Sequence, residues 1–82
     1  MIKILFFGRL REALQSDGLE LEPEKIVTVR DVKDSLSIKG PLWEDLLDAQ
    51  NTLIALNQTI VDELACVKDG DEIAFFPPVT GG

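Results

Sequence analysis

The chain has 82 residues, of which 45% are apolar, and a net charge of −7 from 15 acidic and 8 basic side chains. That apolar fraction is typical of one small folded domain and is too high for a disordered chain. Because proteins that bind phosphate backbones need clustered Lys and Arg, the acidic balance argues against nucleic acid as the main partner.

The first third of the chain predicts a strand, a short helix and a second strand. The apolar run from Ile2 to Phe7 predicts a buried strand, which Gly8 ends. Arg9 to Gln15 places its apolar residues at helical spacing. After a turn at Ser16 to Gly18, the alternation of apolar and acidic residues over Leu19 to Glu22 is typical of a half-buried edge strand.

The middle of the chain predicts two helices of unequal length. Thr28 is the expected N-cap of the first, with Asp31 at position N3 in a close variant of the capping box. The apolar residues that follow recur on one helical face. Pro41 suits a first helical position, so we expect a second, shorter helix over Leu42 to Ala49. Trp43 within it is expected to pack rather than to bind a ligand.

Three further strands are predicted at Leu53 to Leu56, Thr59 to Val61 and Glu72 to Phe76. A turn at Lys68 to Asp71 precedes the last strand, and its acidic pair lacks the spacing of a calcium loop. The sum is a mixed α/β domain with one main helix. One helix covers only one face of a sheet, so the other face must be polar or meet a partner.

Alternation along the first and last strands predicts which side chains face the core. The fully apolar faces are the natural core: Ile2, Ile4 and Phe6 on the first strand, and Ile73 and Phe75 on the last. The opposite faces carry Lys3 and Glu72 and form the outer side. If the two strands are neighbours, Leu5, Phe7 and Phe76 lie near water there. Such a patch usually marks a protein interface; the alternative is that a loop or the second helix covers it.

The last eight residues of the sequence are FFPPVTGG. The proline after Phe76 favours extended geometry at that residue, and Pro77-Pro78 favours the stiff polyproline II form. We therefore expect a globular domain at residues 1–76 and an extended tail at residues 77–82 that points away from the sheet. A frayed end without function is the alternative.

The double glycine predicts that the tail carries chemistry. Gly81 and Gly82 have no side chain, so they can pass through a narrow channel and leave the terminal carboxylate open to attack. A carboxylate is a poor electrophile until ATP activates it as an acyl-adenylate. The chain contains no P-loop and no glycine-rich nucleotide fingerprint, so the ATP site must belong to a partner.

The chain has one cysteine, Cys66, and no histidine. A small domain with no possible internal disulfide is typical of a reducing compartment, and no signal peptide or membrane-length segment is visible, so we expect a cytoplasmic protein that does not bind a membrane. The apolar neighbours of Cys66 predict a small buried side chain rather than a nucleophile. The lack of histidine excludes Ser–His and Cys–His catalysis, and we expect no metal site.

The chain resembles one family along essentially its whole length, and three segments carry the resemblance. They are MIKILFFGRLRE at the start, ALNQT at Ala55 to Thr59, and DGDEIAFFPPVTGG from Asp69 to Gly82. They are similar to the sulfur-carrier (small) subunits of molybdopterin synthase, the MoaD family of ubiquitin-like β-grasp proteins. The resemblance implies an α+β β-grasp fold, with a mixed sheet and the helix at Thr28 to Ile38 packed across one face.

The resemblance also implies a sulfur-transfer cycle in which this chain is not itself a catalyst and binds no cofactor. An E1-like enzyme uses ATP and magnesium to adenylate Gly82, and sulfur from a cysteine desulfurase or sulfurtransferase converts it to a thiocarboxylate. The large synthase subunit, in a heterotetramer, then uses that sulfur to build the dithiolene of molybdopterin from cyclic pyranopterin monophosphate.

Family positions imply two sets of site residues. Gly81 and Gly82 carry the chemistry. The partner-binding residues are Phe7, Arg11, Ile60, Phe76, Pro77, Pro78, Val79 and Thr80. For Arg11 the alternative is a solvated helix charge.

Other functions remain open. The chain could be a carrier of the thiamine type, a ubiquitin-like protein modifier, or an interaction module with an idle tail. The acidic surface either supports solubility alone or meets a basic patch on a partner.

Overall fold

The computed structural model of the protein describes residues 1–48 and 52–78. Within these ranges the elements are β1 (Ile2–Phe6), α1 (Gly8–Leu14), β2 (Gly18–Leu21), α2 (Val29–Ser37), α3 (Pro41–Leu46), β3 (Leu53–Leu56), β4 (Thr59–Val61) and β5 (Glu72–Phe76). Every strand and helix predicted from the sequence is present. The second helix begins at Pro41 as expected but ends at Leu46, earlier than predicted, and its expected end at Ala49 lies outside the described residues.

The strands form one mixed sheet in the order β2-β1-β5-β3-β4. β1 and β5 pair in parallel at the centre, and the other neighbours are antiparallel. β2 lies at an edge, as its alternating sequence predicted. The exposed apolar patch predicted from the sequence required the first and last strands to be neighbours, and the pairing of β1 with β5 meets that condition.

Helix α2 begins where the sequence predicted and for the expected reason. The Thr28 hydroxyl accepts a hydrogen bond from the Asp31 N–H at 3.4 Å, and the Asp31 carboxylate accepts from the N–H groups of Thr28 at 3.0 Å and Val27 at 2.8 Å. These bonds, led by that from Thr28, hold the pKa of Asp31 below its ordinary value. The capping box therefore fixes the start of the main helix.

One hydrophobic core lies between the sheet and the helices. It is built from the buried residues Ile2, Ile4, Phe6, Leu10, Leu14, Val29, Val32, Leu36, Leu47, Ile54, Val67, Ile73 and Phe75. Trp43 of α3 packs against it, with its ring edge-on to Phe6 at a centroid distance of 5.5 Å. The prediction that Trp43 is a packing residue is thus confirmed.

The predicted burial of Cys66 is wrong, because its side chain is exposed. Cys66 forms an isolated antiparallel bridge with Thr28, which places it in extended backbone. Its neighbour Val67 is buried and Ala65 packs against the core, so alternation turns the thiol between them outward. In the part of the chain that the structure describes, no helix is long and apolar enough to cross a membrane.

Candidate functional site

The face of the sheet opposite the core is the candidate site. All three helices contribute side chains to the single core cluster, so they pack on the same side of the sheet. Strand register then assigns the outer side: Leu5 lies beside Ala74, Ala74 beside Ala55, and Ala55 beside Ile60. Residues that pair across neighbouring strands point to the same face, so these four form an apolar row across four strands.

A second set of apolar side chains continues this row towards the tail. Phe76 pairs with Leu53. Phe7 keeps extended geometry after β1, and its N–H donates to the Phe75 carbonyl at 3.0 Å. Alternation therefore places Phe7 on the same side as Leu5. We name as the outer patch the residues Leu5, Phe7, Leu53, Ala55, Ile60, Ala74 and Phe76.

Exposure differs within the outer patch. Phe7 and Ile60 are 47% and 60% exposed, whereas Leu5 and Phe76 are half-buried by their neighbours in the sheet. The predicted position of Phe7 and Phe76 near water on one outer face is confirmed. No helix of the described residues covers them, because the helices lie on the other side. Their role in binding a partner stays a prediction.

Charged side chains border the outer patch. Lys3 lies between Glu20 of β2 and Glu72 of β5, so one end of the outer face is mainly acidic. Arg11 of α1 lies in the first turns after Phe7, and its Nε is 2.6 Å from Oδ1 of Asp17. Because both side chains are exposed, this ion pair contributes at most about 1 kcal/mol. Arg11 is therefore accessible on the surface.

The base of the tail lies at the end of the sheet that carries Phe7 and Phe76, opposite the acidic end. Pro77 and Pro78 are half-buried. Gly8 has a φ of +59°, and a Cβ there would lie 3.0 Å from Cγ of Pro77, so the start of α1 and the tail base are in close contact. Pro77 also lines a groove of about 240 Å³ with residues of α1 and α3. The predicted site residues Val79, Thr80, Gly81 and Gly82 lie outside the described residues.

The described residues contain no group of three or more His, Cys, Asp or Glu side chains that could hold a metal ion. A cavity of about 350 Å³ lies between α2 and the β3–β4 hairpin. It is lined by Lys33 and Glu63, whose Nζ and Oε2 atoms are 3.5 Å apart, and it contains none of the predicted site residues. The outer patch and the tail base are therefore the features that bring predicted site residues together.

Comparison with known proteins decides the family. A family model described as the ThiS family matches residues 4–82. The chain belongs to the ThiS family. The molybdopterin synthase sulfur carrier subunits of Haemophilus influenzae and Escherichia coli are 44% and 40% identical to it, over 100% of both chains in each case.

Solved structures agree on the fold. The small archaeal modifier protein 1 of Methanosarcina acetivorans superposes with a TM-score of 0.79 at 30% identity, covering 99% of this chain and 95% of that one. The ubiquitin-like β-grasp fold implied by the sequence resemblance is therefore confirmed. Sequence reasoning missed Leu53 and Ala55 of the outer patch, because their place depends on the pairing of β3 with β5.

Proposed function

We propose that this protein is a sulfur carrier subunit of a molybdopterin synthase. The observation that carries the proposal is its identity of 44% over the full length of a relative with that name. The chain also carries the two features that such a role needs, an apolar face for a partner and a tail that ends in double glycine.

The proposed chemistry takes place at Gly82. An E1-like partner that binds ATP and magnesium adenylates the Gly82 carboxylate and releases pyrophosphate. A hydrosulfide equivalent, drawn from a cysteine desulfurase or sulfurtransferase, displaces AMP and leaves a thiocarboxylate. In the large synthase subunit this sulfur passes to cyclic pyranopterin monophosphate, and water restores the carboxylate. Because a dithiolene contains two sulfur atoms, each molybdopterin consumes two charged carriers.

The geometry of the outer face supports this proposal. Ordering the four residues from Val79 to Gly82 in a partner's active site costs about 4–8 kcal/mol of backbone entropy. Burial of the outer patch against the same partner would offset that cost. Phe7 and Phe76 lie where β5 leads into Pro77, so one partner surface can cover the patch while it receives the tail.

Intact mass measurement tests the proposal. The protein is incubated with ATP, magnesium, an E1-like enzyme of molybdopterin synthesis and a sulfur source. We expect a mass rise equal to replacing one oxygen by sulfur, mapped to Gly82 by fragmentation. Omission of ATP and deletion of Gly82 are the controls, and both should abolish the change. A terminus that stays unmodified in the complete mixture contradicts the sulfur-carrier function.

A second candidate function is covalent modification of proteins. The likeness to the small archaeal modifier protein 1 of Methanosarcina acetivorans favours it. In that case the activated Gly82 would react with lysine amines and form isopeptide bonds. High-mass conjugates on a denaturing gel, lost on deletion of Gly82, would support this function.

A further inference from the structure

One residue, Asn57, ties the tip of the β3–β4 hairpin to the start of β5 and to the residue before it. The hairpin turns at Asn57 and Gln58, which have φ values of +49° and +71°. The Asn57 N–H donates to the Glu72 carbonyl at 2.8 Å, the Glu72 N–H donates to Oδ1 of Asn57 at 3.0 Å, and Nδ2 of Asn57 donates to Oδ1 of Asp71 at 3.1 Å. We call these hydrogen bonds the Asn57 clasp.

The clasp extends the pairing of β3 with β5 beyond the last regular pair, Leu56 with Ile73. The side-chain oxygen of Asn57 takes the place of a backbone carbonyl as acceptor for the Glu72 N–H. Asn suits this position because it tolerates positive φ and because its amide offers a donor and an acceptor together. The other Asp71 oxygen accepts from the Lys68 N–H at 2.8 Å, so the carboxylate is held from both sides.

The hairpin that the clasp holds carries Ile60 into the outer patch. Ile60 pairs with Ala55, and β4 is a strand of three residues at the sheet edge. Ile60 is 60% exposed, so core packing does not fix its position. The clasp joins the turn that precedes Ile60 directly to the central part of the sheet.

We infer that Asn57 is a positioning residue, which holds Ile60 in the geometry that the partner of the outer patch binds. This inference rests on the proposed function, because it takes the large subunit of molybdopterin synthase as that partner. Asn57 itself need not touch the partner, since it acts through the hairpin.

A double-mutant cycle between Asn57→Gly and Ile60→Ala tests the inference. Glycine keeps the positive φ and removes the amide. Calorimetry with the cognate large subunit measures Kd, at a temperature where circular dichroism shows every variant folded. We expect Asn57→Gly to weaken binding about threefold to tenfold in the wild-type background and hardly at all in the Ile60→Ala background. Gln58→Gly, the matched control in the same turn, should leave Kd nearly unchanged.

Each possible result either supports the inference or overturns it. Equal weakening by Asn57→Gly in both backgrounds overturns it, since the residue would then act independently of Ile60. An unchanged Kd for Asn57→Gly or for Ile60→Ala overturns it as well. Failure of the wild-type protein to bind contradicts the proposed partner instead. In that case, methyl NMR of the free protein tests whether Asn57 positions Ile60. Asn57→Gly must shift the Ile60 methyl signal and leave that of Ile4 in place, and an unshifted Ile60 signal overturns the inference.

Discussion

The two faces of the central strands differ in what their apolar side chains do. On the inner face, Ile4 and Phe75 are fully buried beneath the helices. On the outer face, Leu5 and Phe76 are only half-buried, although they are equally apolar and adjacent in sequence. Hydrophobicity alone therefore does not assign a role to a strand residue. The inner set stabilises the fold, whereas the role that we propose for the outer set is to bind a partner.

Truncation of the inner face should have the largest effect on stability. Phe75→Ala is expected to lower the free energy of unfolding by about 3–5 kcal/mol, because it leaves a cavity beside Phe6. Urea denaturation measures this loss. If Phe75→Ala does not fold, Ile73→Val provides a milder test, with an expected loss of about 0.5–1.5 kcal/mol. No loss in either variant would contradict the assignment of the inner face.

A charge introduced on the outer face should weaken partner binding more than it weakens the fold. We expect Phe7→Asp and Phe76→Asp to weaken binding to the large synthase subunit by at least about 30-fold, as loss of a buried aromatic anchor does. The fold should be weakened less, because neither side chain belongs to the core cluster. Calorimetry and circular dichroism check the two effects.

Lys3→Ala is the control for the charge variants, since Lys3 shares the outer side but lies outside the apolar patch. It should leave Kd nearly unchanged. Unfolded circular-dichroism spectra for both Phe7→Asp and Phe76→Asp would refute the distinction between the two faces.

The capping box fixes the start of α2, which packs on the inner side of the sheet. Its loss should lower stability less than truncation of a core side chain does. Thr28→Ala is expected to lower the free energy of unfolding by about 0.5–2 kcal/mol, because the Asp31 N–H loses its acceptor. Thr28→Ser keeps the hydroxyl and should restore most of the stability. Partner binding should stay unchanged in both variants, since α2 lies on the inner side.

Of the changes considered, a fall in pH should have the smallest effect on the free energy of unfolding. Hydrogen bonds hold the pKa of Asp31 and of Asp71 below the ordinary value of 3.8, for Asp71 mainly through Asn57. The folded protein therefore binds fewer protons than the unfolded chain, so their contribution is present above pH 3.8 and is lost as the pH falls through the lower folded values. Urea midpoints at about pH 6 and about pH 3 measure this loss, and Asp31→Asn should reduce it.

Local patterns in the sequence predicted most of the fold. Strand alternation depends only on adjacent residues, so it assigned Phe7 and Phe76 to the outer side correctly. The capping box at Thr28 was predicted for the same reason. Cys66 was assigned wrongly because its exposure depends on a bridge to Thr28, far away in the sequence.

Features that depend on pairing between distant parts of the chain could not be predicted from the sequence. The place of Leu53 and Ala55 in the outer patch follows from the β3–β5 register, which no local pattern encodes. The three bonds of the Asn57 clasp join residues 14 and 15 positions apart in the chain, so the ALNQT segment did not reveal them. The roles of Gly81 and Gly82 stay predictions, which rest on the double glycine itself and on the family resemblance.

The parallel pairing of β1 with β5 has a consequence for folding during synthesis. β1 is made first and β5 last among the strands, yet they are neighbours at the centre of the sheet. Closing such a distant contact is slow compared with local contacts, and the core cannot be completed until β5 has left the ribosome. Residues 77–82 follow β5 directly in the sequence, so they are made only after all five strands of the domain.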